Sequence, residues 1–151
     1  MIKAFNNIVA DSLPHKGLPK GSRDRIALPV AGDDVRAKQL VIALLDDMGF
    51  DAIDAGRLRE SWRYQPGTPA YCPDPTIKQL AFLLQLADRN KAPANRDKAA
   101  NLMAKLPADF PPPELVRVVR LSAAWIHGNP EAGSRVLRLG FSVLTSTPDK
   151  A

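Results

Sequence analysis

A strand, a helix and a second strand follow one another between residues 25 and 56 with very short connections. Apolar residues alternate along residues 26–30, which is the period of a β-strand. Over residues 35–48 they recur at intervals of three and four, which predicts an amphipathic helix, and residues 50–54 form a further short strand. Strand, helix and strand joined this tightly predict a right-handed βαβ unit with parallel strands.

The predicted helix carries its own start and stop signals. Asp33 is expected to cap the first amides of the helix, and both Asp33 and Asp34 favour its positive end. Gly49 stands where a left-handed C-cap belongs, so Phe50 can fold back onto the last turn. The spacing assigns seven residues to the apolar stripe: Val35, Ala37, Leu40, Val41, Leu44, Leu45 and Met48. Leu44 is therefore expected to be buried.

The region before this unit is less regular. Residues 2–6 are a short strand candidate, and residues 11–24 are expected to form a polar loop. Pro29 donates no backbone hydrogen bond, which predicts a position at a sheet edge or near a strand end. We expect an exposed sheet edge at residues 2–6 or 26–30, and such an edge favours pairing with another chain.

The chain changes character near residue 66, and the sequence beyond it is predicted to be helical. A short helix is expected around residues 58–63, before a loop rich in proline and glycine. Asp74 and Pro75 are expected to open the next helix, as N-cap and first-turn proline. The predicted helices beyond the loop are 74–88, 94–106, 114–127 and 131–144. These patterns suggest two parts, residues 1–66 and 67–151.

Composition and charge limit the class of protein. The chain has 151 residues, of which 45% are hydrophobic and 25% charged, as in an ordinary globular domain. No apolar run approaches the roughly 18 residues of a membrane helix, so a cytoplasmic protein without membrane partners is expected. The net charge of +5 arises in residues 76–151, where 11 Lys and Arg residues face 6 Asp and Glu. This excess is only weakly specific for an anionic partner.

Residue patterns for catalysis are scarce. His15, His127 and Cys72 lack partners at the spacing of a metal site, a redox pair or a triad, so a structural or surface role is expected for each. We therefore predict neither catalytic side chains nor metal ligands. Neither a GxGxxG turn nor a GxxxxGK[ST] loop occurs in the sequence. The chain thus carries neither of the two common backbone cradles for phosphate.

Three stretches nevertheless resemble consecutive landmarks of one enzyme family, and a fourth stretch extends the similarity. They are IKAFNNI at residues 2–8, LPVAGDD at residues 28–34, GFDAIDAG at residues 49–56 and LRESWRYQPGTPAY at residues 58–71. Together they resemble the later part of the dinucleotide-binding domain of NADPH-dependent coenzyme F420 reductases. The cytosolic oxidoreductase domains of transmembrane metalloreductases are similar in the same way. The resemblance covers residues 1–72 well and the helical tail only loosely.

The resemblance implies a fold and a site. The fold would be α/β, with a partial Rossmann-like parallel sheet of three short strands and one βαβ unit, followed by a helical region. Ala4, Phe5, Asn6 and Asn7 would border the nicotinamide of NADP, with Asn6 contacting its carboxamide. Hydride would pass between NADPH and an acceptor such as F420 or a flavin, which requires mainly positioning.

The sequence departs from the family by lacking the glycine-rich half that binds the phosphates. This portion alone is therefore expected to be inactive. A partner chain that supplies the missing half of the sheet, or a homo-oligomer, is expected. Two other functions stay open. One is a non-enzymatic dimerisation or protein-interaction module. The other, less favoured, is a basic helical nucleic-acid binder that uses Arg117, Arg120, Arg135 and Arg138.

Overall fold

The computed structural model describes residues 1–106. Its strands are β1 (Ile2–Lys3), β2 (Ala27–Gly32) and β3 (Asp51–Asp54). Its α-helices are α1 (Ser12–His15), α2 (Val35–Asp47), α3 (Ile77–Gln85) and α4 (Ala92–Met103), and a 3-10 helix spans Leu58–Tyr64. The α/β class is confirmed over this range. The helices predicted at 114–127 and 131–144 lie outside the described residues.

The strands form a mixed sheet of order β1-β2-β3. β2 and β3 are parallel and are joined through α2, so the βαβ unit is confirmed. β1 pairs with β2 in the antiparallel direction, with Ile2 opposite Gly32 and Lys3 opposite Ala31. The three strands therefore do not form the all-parallel sheet that the sequence suggested, because β1 enters from the opposite direction.

β2 is the central strand, and this corrects the alternative that residues 26–30 form an exposed edge. Within the described residues, the edges are β1 and β3. Pro29 lies in the middle of β2, opposite Ile53 of β3, rather than near a strand end. The position tolerates proline because β1 pairs only with Ala31 and Gly32. Among residues 1–106, no strand therefore lies opposite the backbone nitrogen of Pro29 on the side away from β3, so its missing N–H group breaks no hydrogen bond between strands.

The two ends of α2 explain how the chain turns so tightly. The carboxylate of Asp34, and not that of Asp33, caps the helix by accepting a hydrogen bond from the Ala37 amide at 3.0 Å. At the other end Gly49 adopts a φ of 90°, and the Phe50 amide donates to the Leu45 carbonyl at 2.9 Å. This is the predicted left-handed C-cap, and it leaves Phe50 fully buried.

The buried face of α2 is rotated from the one that the spacing predicted. Leu45 is 0% exposed, whereas Leu44 is 50% exposed and Leu40 is 73% exposed. Lys38 is also buried on the sheet side of this helix. The seven-residue stripe was too wide to fix the orientation of α2, and packing against β2 and β3 selected one part of it. The expectation that Leu44 is buried is wrong.

Two apolar clusters cover the two faces of the sheet. The cluster on the α2 side is built from Ile8, Ile26, Leu28, Val30, Leu45 and Phe50. The cluster on the other side is built from Ala27, Ala31, Tyr64, Ala70, Leu80 and Leu84, from β2, the 3-10 helix, the following loop and α3. Alternate residues of β2 serve opposite faces, as the pleat of a strand requires.

Smaller boundary differences follow from local hydrogen bonds. The polar loop at residues 11–24 contains the short helix α1, which was not expected. Helix α3 begins after Thr76, which forms a capping box with Gln79, whereas Asp74 is left-handed at a φ of 49° and is not the cap. In the described part of the chain, no helix combines the length and apolarity needed to cross a bilayer.

Candidate functional site

The four residues implicated by the resemblance form a loop directly after β1, which we call the asparagine loop (residues 4–7). Ala4 and Phe5 are half-buried and pack against the cluster on the α2 side of the sheet. Phe5 has a φ of 64°, a left-handed conformation that turns the chain after β1. Asn6 and Asn7 then contact a segment about sixty residues further along the chain.

That segment, residues 64–74, receives the two asparagine side chains. Asn6 donates through Nδ2 to the Tyr64 carbonyl at 3.0 Å, and Asn7 donates through Nδ2 to the Ala70 carbonyl at 3.4 Å. The backbone carbonyl of Asn7 accepts from the Cys72 amide at 2.8 Å. The structure therefore brings together the residues of the asparagine loop and part of the fourth landmark, which are distant in sequence.

The amide oxygen of each asparagine side chain is the unusual feature of this loop. The Oδ1 atoms of Asn6 and Asn7 are both buried and accept no hydrogen bond from any group of residues 1–106. Asn7 as a residue is only 1% exposed. A buried amide oxygen without a donor costs on the order of 1–3 kcal/mol, so two adjacent ones are an arrangement that folding alone does not favour.

Lys3 and Tyr64 complete the polar surroundings of the loop. The ammonium of Lys3 donates to the carbonyl and the hydroxyl of Ser61, at 3.2 and 3.3 Å. It also lies 5.1 Å from the centre of the Tyr64 ring, within cation–π range. The Tyr64 hydroxyl donates to the Lys3 carbonyl at 3.1 Å. The positive charge is thus held by neutral groups at the end of β1.

Three residues other than glycine adopt left-handed conformations in the described chain, and all three belong to this region. They are Phe5 at 64°, Cys72 at 62° and Asp74 at 49°. Asp74 accepts a hydrogen bond from the Ser12 hydroxyl at 2.8 Å, which ties the segment to α1. Such conformations cost about 1 kcal/mol or more each and concentrate at functional sites. The asparagine loop and residues 64–74 therefore form the candidate site.

Burial sets the direction in which the ionisable groups of the site titrate. It lowers the pKa of Lys3, and it raises the pKa of Tyr64 well above its usual range. Burial also raises the pKa of the Cys72 thiol to about 11. Cys72 is therefore protonated near neutral pH and does not offer a thiolate nucleophile. The site is suited to recognition by hydrogen bonds and charge more than to proton transfer.

The turn between β2 and α2 is unsuited to phosphate. In dinucleotide-binding folds the phosphates lie at a helix N-terminus after a strand. Here that position holds Asp33 and Asp34, both exposed, and the Asp34 carboxylate already occupies the Ala37 amide. Two negative charges oppose an anion at this end of α2. The start of α2 is therefore unsuited to binding a phosphate group.

The other residues singled out in the sequence lie away from this region or outside the description. His15 is exposed, and its Nδ1 lies 2.9 Å from the Asp11 carbonyl. His127 and the four arginines considered for nucleic acid lie beyond residue 106. Residues 1–106 hold no group of three His, Cys, Asp or Glu side chains that could bind a metal ion.

Sequence reasoning gave no role to an ion pair between the buried Lys38 of α2 and the half-exposed Asp54 of β3. Lys38 is buried, and its ammonium lies 2.7 and 2.8 Å from the two carboxylate oxygens of Asp54. Asp54 also accepts from the Gly56 amide at 2.9 Å, so the pair fixes the turn after β3. The one signal for it was a lysine placed between apolar helix positions, which is also common on exposed helices.

The comparisons with known proteins give one similarity. The chain is 52% identical over 80 residues to the protein YjhV of Escherichia coli (strain K12), which is 53% of this chain and 58% of YjhV. The chain therefore spans little more than half the length of that relative. No protein-family model and no solved structure matches this chain.

Proposed function

We propose that this chain is the nicotinamide-side portion of an NADP-dependent oxidoreductase that transfers hydride between NADPH and an acceptor such as F420 or a flavin. β2 and β3, which α2 connects, would form the parallel part of a Rossmann-like sheet. The observation that carries the proposal is the pair of buried asparagine oxygens without donors in the asparagine loop. It is supported by the four landmarks that resemble coenzyme F420 reductases.

The chemistry of the loop suits a carboxamide. The carboxamide of nicotinamide has an NH2 group, and that group is the donor that the Oδ1 atom of Asn6 lacks. NADPH supplies the hydride when it is bound. The asparagine loop would orient the ring, and no acidic or basic side chain is needed because hydride transfer depends mainly on positioning.

Two polypeptide portions would bind the cofactor, this chain at its nicotinamide and a second portion at its phosphates. The sequence contains no glycine-rich phosphate turn, and the start of α2 carries two carboxylates. The phosphates would therefore be held by a second portion, either a partner chain or a further segment. Alone, this chain would be inactive and would lack ordinary NADPH affinity.

Nitrogen-15 NMR with reduced nicotinamide mononucleotide tests the nicotinamide end directly. We expect millimolar binding that shifts the side-chain amide signals of Asn6 and Asn7, and loss of the effect in Asn6→Ala. Asn90→Ala, which removes an exposed amide, is the matched control and retains the shifts. A folded chain whose Asn6 and Asn7 signals do not move at saturating ligand would sink the proposal.

Hydride transfer tests the second part of the proposal. The chain is mixed with, or fused after, a glycine-rich dinucleotide-binding half, and NADPH oxidation is followed with F420 or a flavin. Asn6→Ala is expected to lower the transfer rate more than the affinity for NADPH. Micromolar NADPH binding by this chain alone, measured by calorimetry, would show that no second portion is needed.

Exposed apolar residues favour the second candidate function, a dimerisation or protein-interaction module without enzymatic activity. They lie on α2, on α3 and just after α3, and include Leu40, Leu44, Phe82 and Leu86. A module of this kind predicts a stable dimer in sedimentation velocity that Leu40→Glu dissociates and that the control Gln39→Glu leaves intact. A wild-type chain that sediments as a monomer at high micromolar concentration contradicts this candidate.

A further inference from the structure

A pocket of about 440 Å³ opens between the 3-10 helix and the start of α4. Trp62 and Pro66 line one side, and Arg89, Pro93 and Arg96 line the other. The volume lies within the range of small-molecule sites, roughly 300–1,000 Å³. None of the lining residues belongs to the asparagine loop, but Gln65 and Pro66 belong to residues 64–74, so this pocket adjoins the candidate site described above.

The charges around the pocket leave one guanidinium without an acidic partner. Arg63 pairs with Glu60 at 3.2 Å, and Arg96 pairs with Asp97 at 2.8 Å. Within the described chain Arg89 makes neither an ion pair nor a hydrogen bond, and its guanidinium lies 5.7 Å from the centre of the Trp62 ring. An indole thus holds Arg89 against the pocket without neutralising its charge.

Close backbone packing fixes the two walls relative to each other. Gly67 adopts a φ of 90°, and a Cβ atom at this position would lie 2.0 Å from the Ala92 carbonyl oxygen. Asn95 of α4 donates to the Gly67 carbonyl at 3.4 Å. The loop after the 3-10 helix is therefore held closely against the start of α4, as a preformed site requires.

We infer that this pocket binds a small phosphomonoester that carries a planar ring, of about the size of a mononucleotide. Guanidinium groups bind phosphate through charge-assisted, bidentate hydrogen bonds. A phosphate group would therefore supply the anionic partner that Arg89 lacks among the described residues. The rings of Pro66 and Pro93 give apolar walls against which a planar ring packs, beside Trp62, whose indole already contacts the guanidinium groups of Arg89 and Arg63. The inference does not depend on the oxidoreductase proposal.

Calorimetry and NMR with guanosine monophosphate test the inference, because this probe is not a fragment of NADPH. We expect saturable binding that shifts the Trp62 indole signal. Arg89→Gln should weaken binding at least tenfold, because it removes the charge-assisted hydrogen bonds to the phosphate. Lys91→Gln, which removes a nearby exposed charge outside the pocket, is the matched control.

Guanosine and inorganic phosphate separate the two halves of the ligand. We expect each to bind at least tenfold more weakly than guanosine monophosphate. Equal affinity for guanosine would overturn recognition of the phosphate, and equal affinity for phosphate would overturn recognition of the ring. No saturable binding to the wild-type chain, or unchanged binding to a folded Arg89→Gln variant, would overturn the site itself.

Discussion

The βαβ unit and the candidate site solve the problem of buried polar groups in opposite ways. In the βαβ unit, backbone groups pair along β2 and β3, both ends of α2 are capped, and Lys38 meets Asp54. Around the asparagine loop, the chain is held by side chains that donate hydrogen bonds to distant carbonyls, and two amide oxygens accept no hydrogen bond from the described residues.

This difference indicates which region serves stability and which is shaped by another requirement. Regular pairing and an apolar cluster lower the free energy of the fold. Left-handed residues and buried oxygens without donors raise it, and they persist where the surrounding structure holds them in place. The βαβ unit is the scaffold, and the features that raise the free energy of the fold lie in the candidate site.

The largest effect is expected from Leu45→Ala in the scaffold. Leu45 is fully buried between α2 and the sheet, so its truncation should cost about 2–5 kcal/mol of unfolding free energy. Leu44→Ala, one residue earlier and half-exposed, should cost less than about 1 kcal/mol. Urea denaturation measures both, and equal losses would contradict the orientation of α2.

An intermediate effect is expected from Asp54→Asn. Lys38 holds the pKa of Asp54 below its usual range, chiefly through hydrogen bonds, with opposition from desolvation. Because Asp54 is half-exposed, we discount the pair for solvent and expect a loss of about 1–2 kcal/mol near pH 7. Asp24→Asn, an exposed carboxylate without an ion pair in the described chain, is the control.

The same substitution gives a pH dependence of known sign. A lowered folded-state pKa contributes stability above the ordinary value of 3.8, and this contribution is lost as the pH falls through the folded value. The difference in stability between wild type and Asp54→Asn should therefore be constant near neutral pH and shrink below about pH 4. A difference that persists at pH 2 would argue against the ion pair.

The smallest effect is expected from Asn7→Leu in the candidate site. The leucine has a similar shape and removes a buried oxygen without a donor, while only the long bond to the Ala70 carbonyl is lost. We expect a change within about 1 kcal/mol of wild type. A loss as large as that of Leu45→Ala, by thermal or urea denaturation, would make Asn7 a stabilising residue and remove the contrast between the two regions.

Local patterns in the sequence predicted the scaffold well. Three signals act over only a few residues: the alternation in β2, the two aspartates before α2 and the glycine at residue 49. The neighbouring side chains therefore suffice to predict the local structure that each signal produces. The cap is Asp34 in place of Asp33, a shift of one residue. The 3-10 helix over Leu58–Tyr64 matches the short helix expected around residues 58–63.

The candidate site was predictable only in part. The resemblance pointed to residues 4–7, but no spacing indicated that Asn6 and Asn7 bind carbonyls at residues 64 and 70. The pocket beside Trp62 likewise joins residues separated by more than twenty positions. The antiparallel direction of β1 places the asparagine loop beside residues 64–74, and no local pattern in the sequence predicts strand direction.

The sequence by itself determined the elements whose signals are local, namely the βαβ unit, the cap at Gly49 and the absence of a glycine-rich phosphate turn. Tertiary structure alone decided the buried face of α2, the position of Pro29 in the central strand and the partners of the asparagine loop. The physical reason is that a helix stripe or a lone amide fits several surroundings. Only packing across the sheet chooses among them, because burial and hydrogen bonding depend on residues far away in the chain.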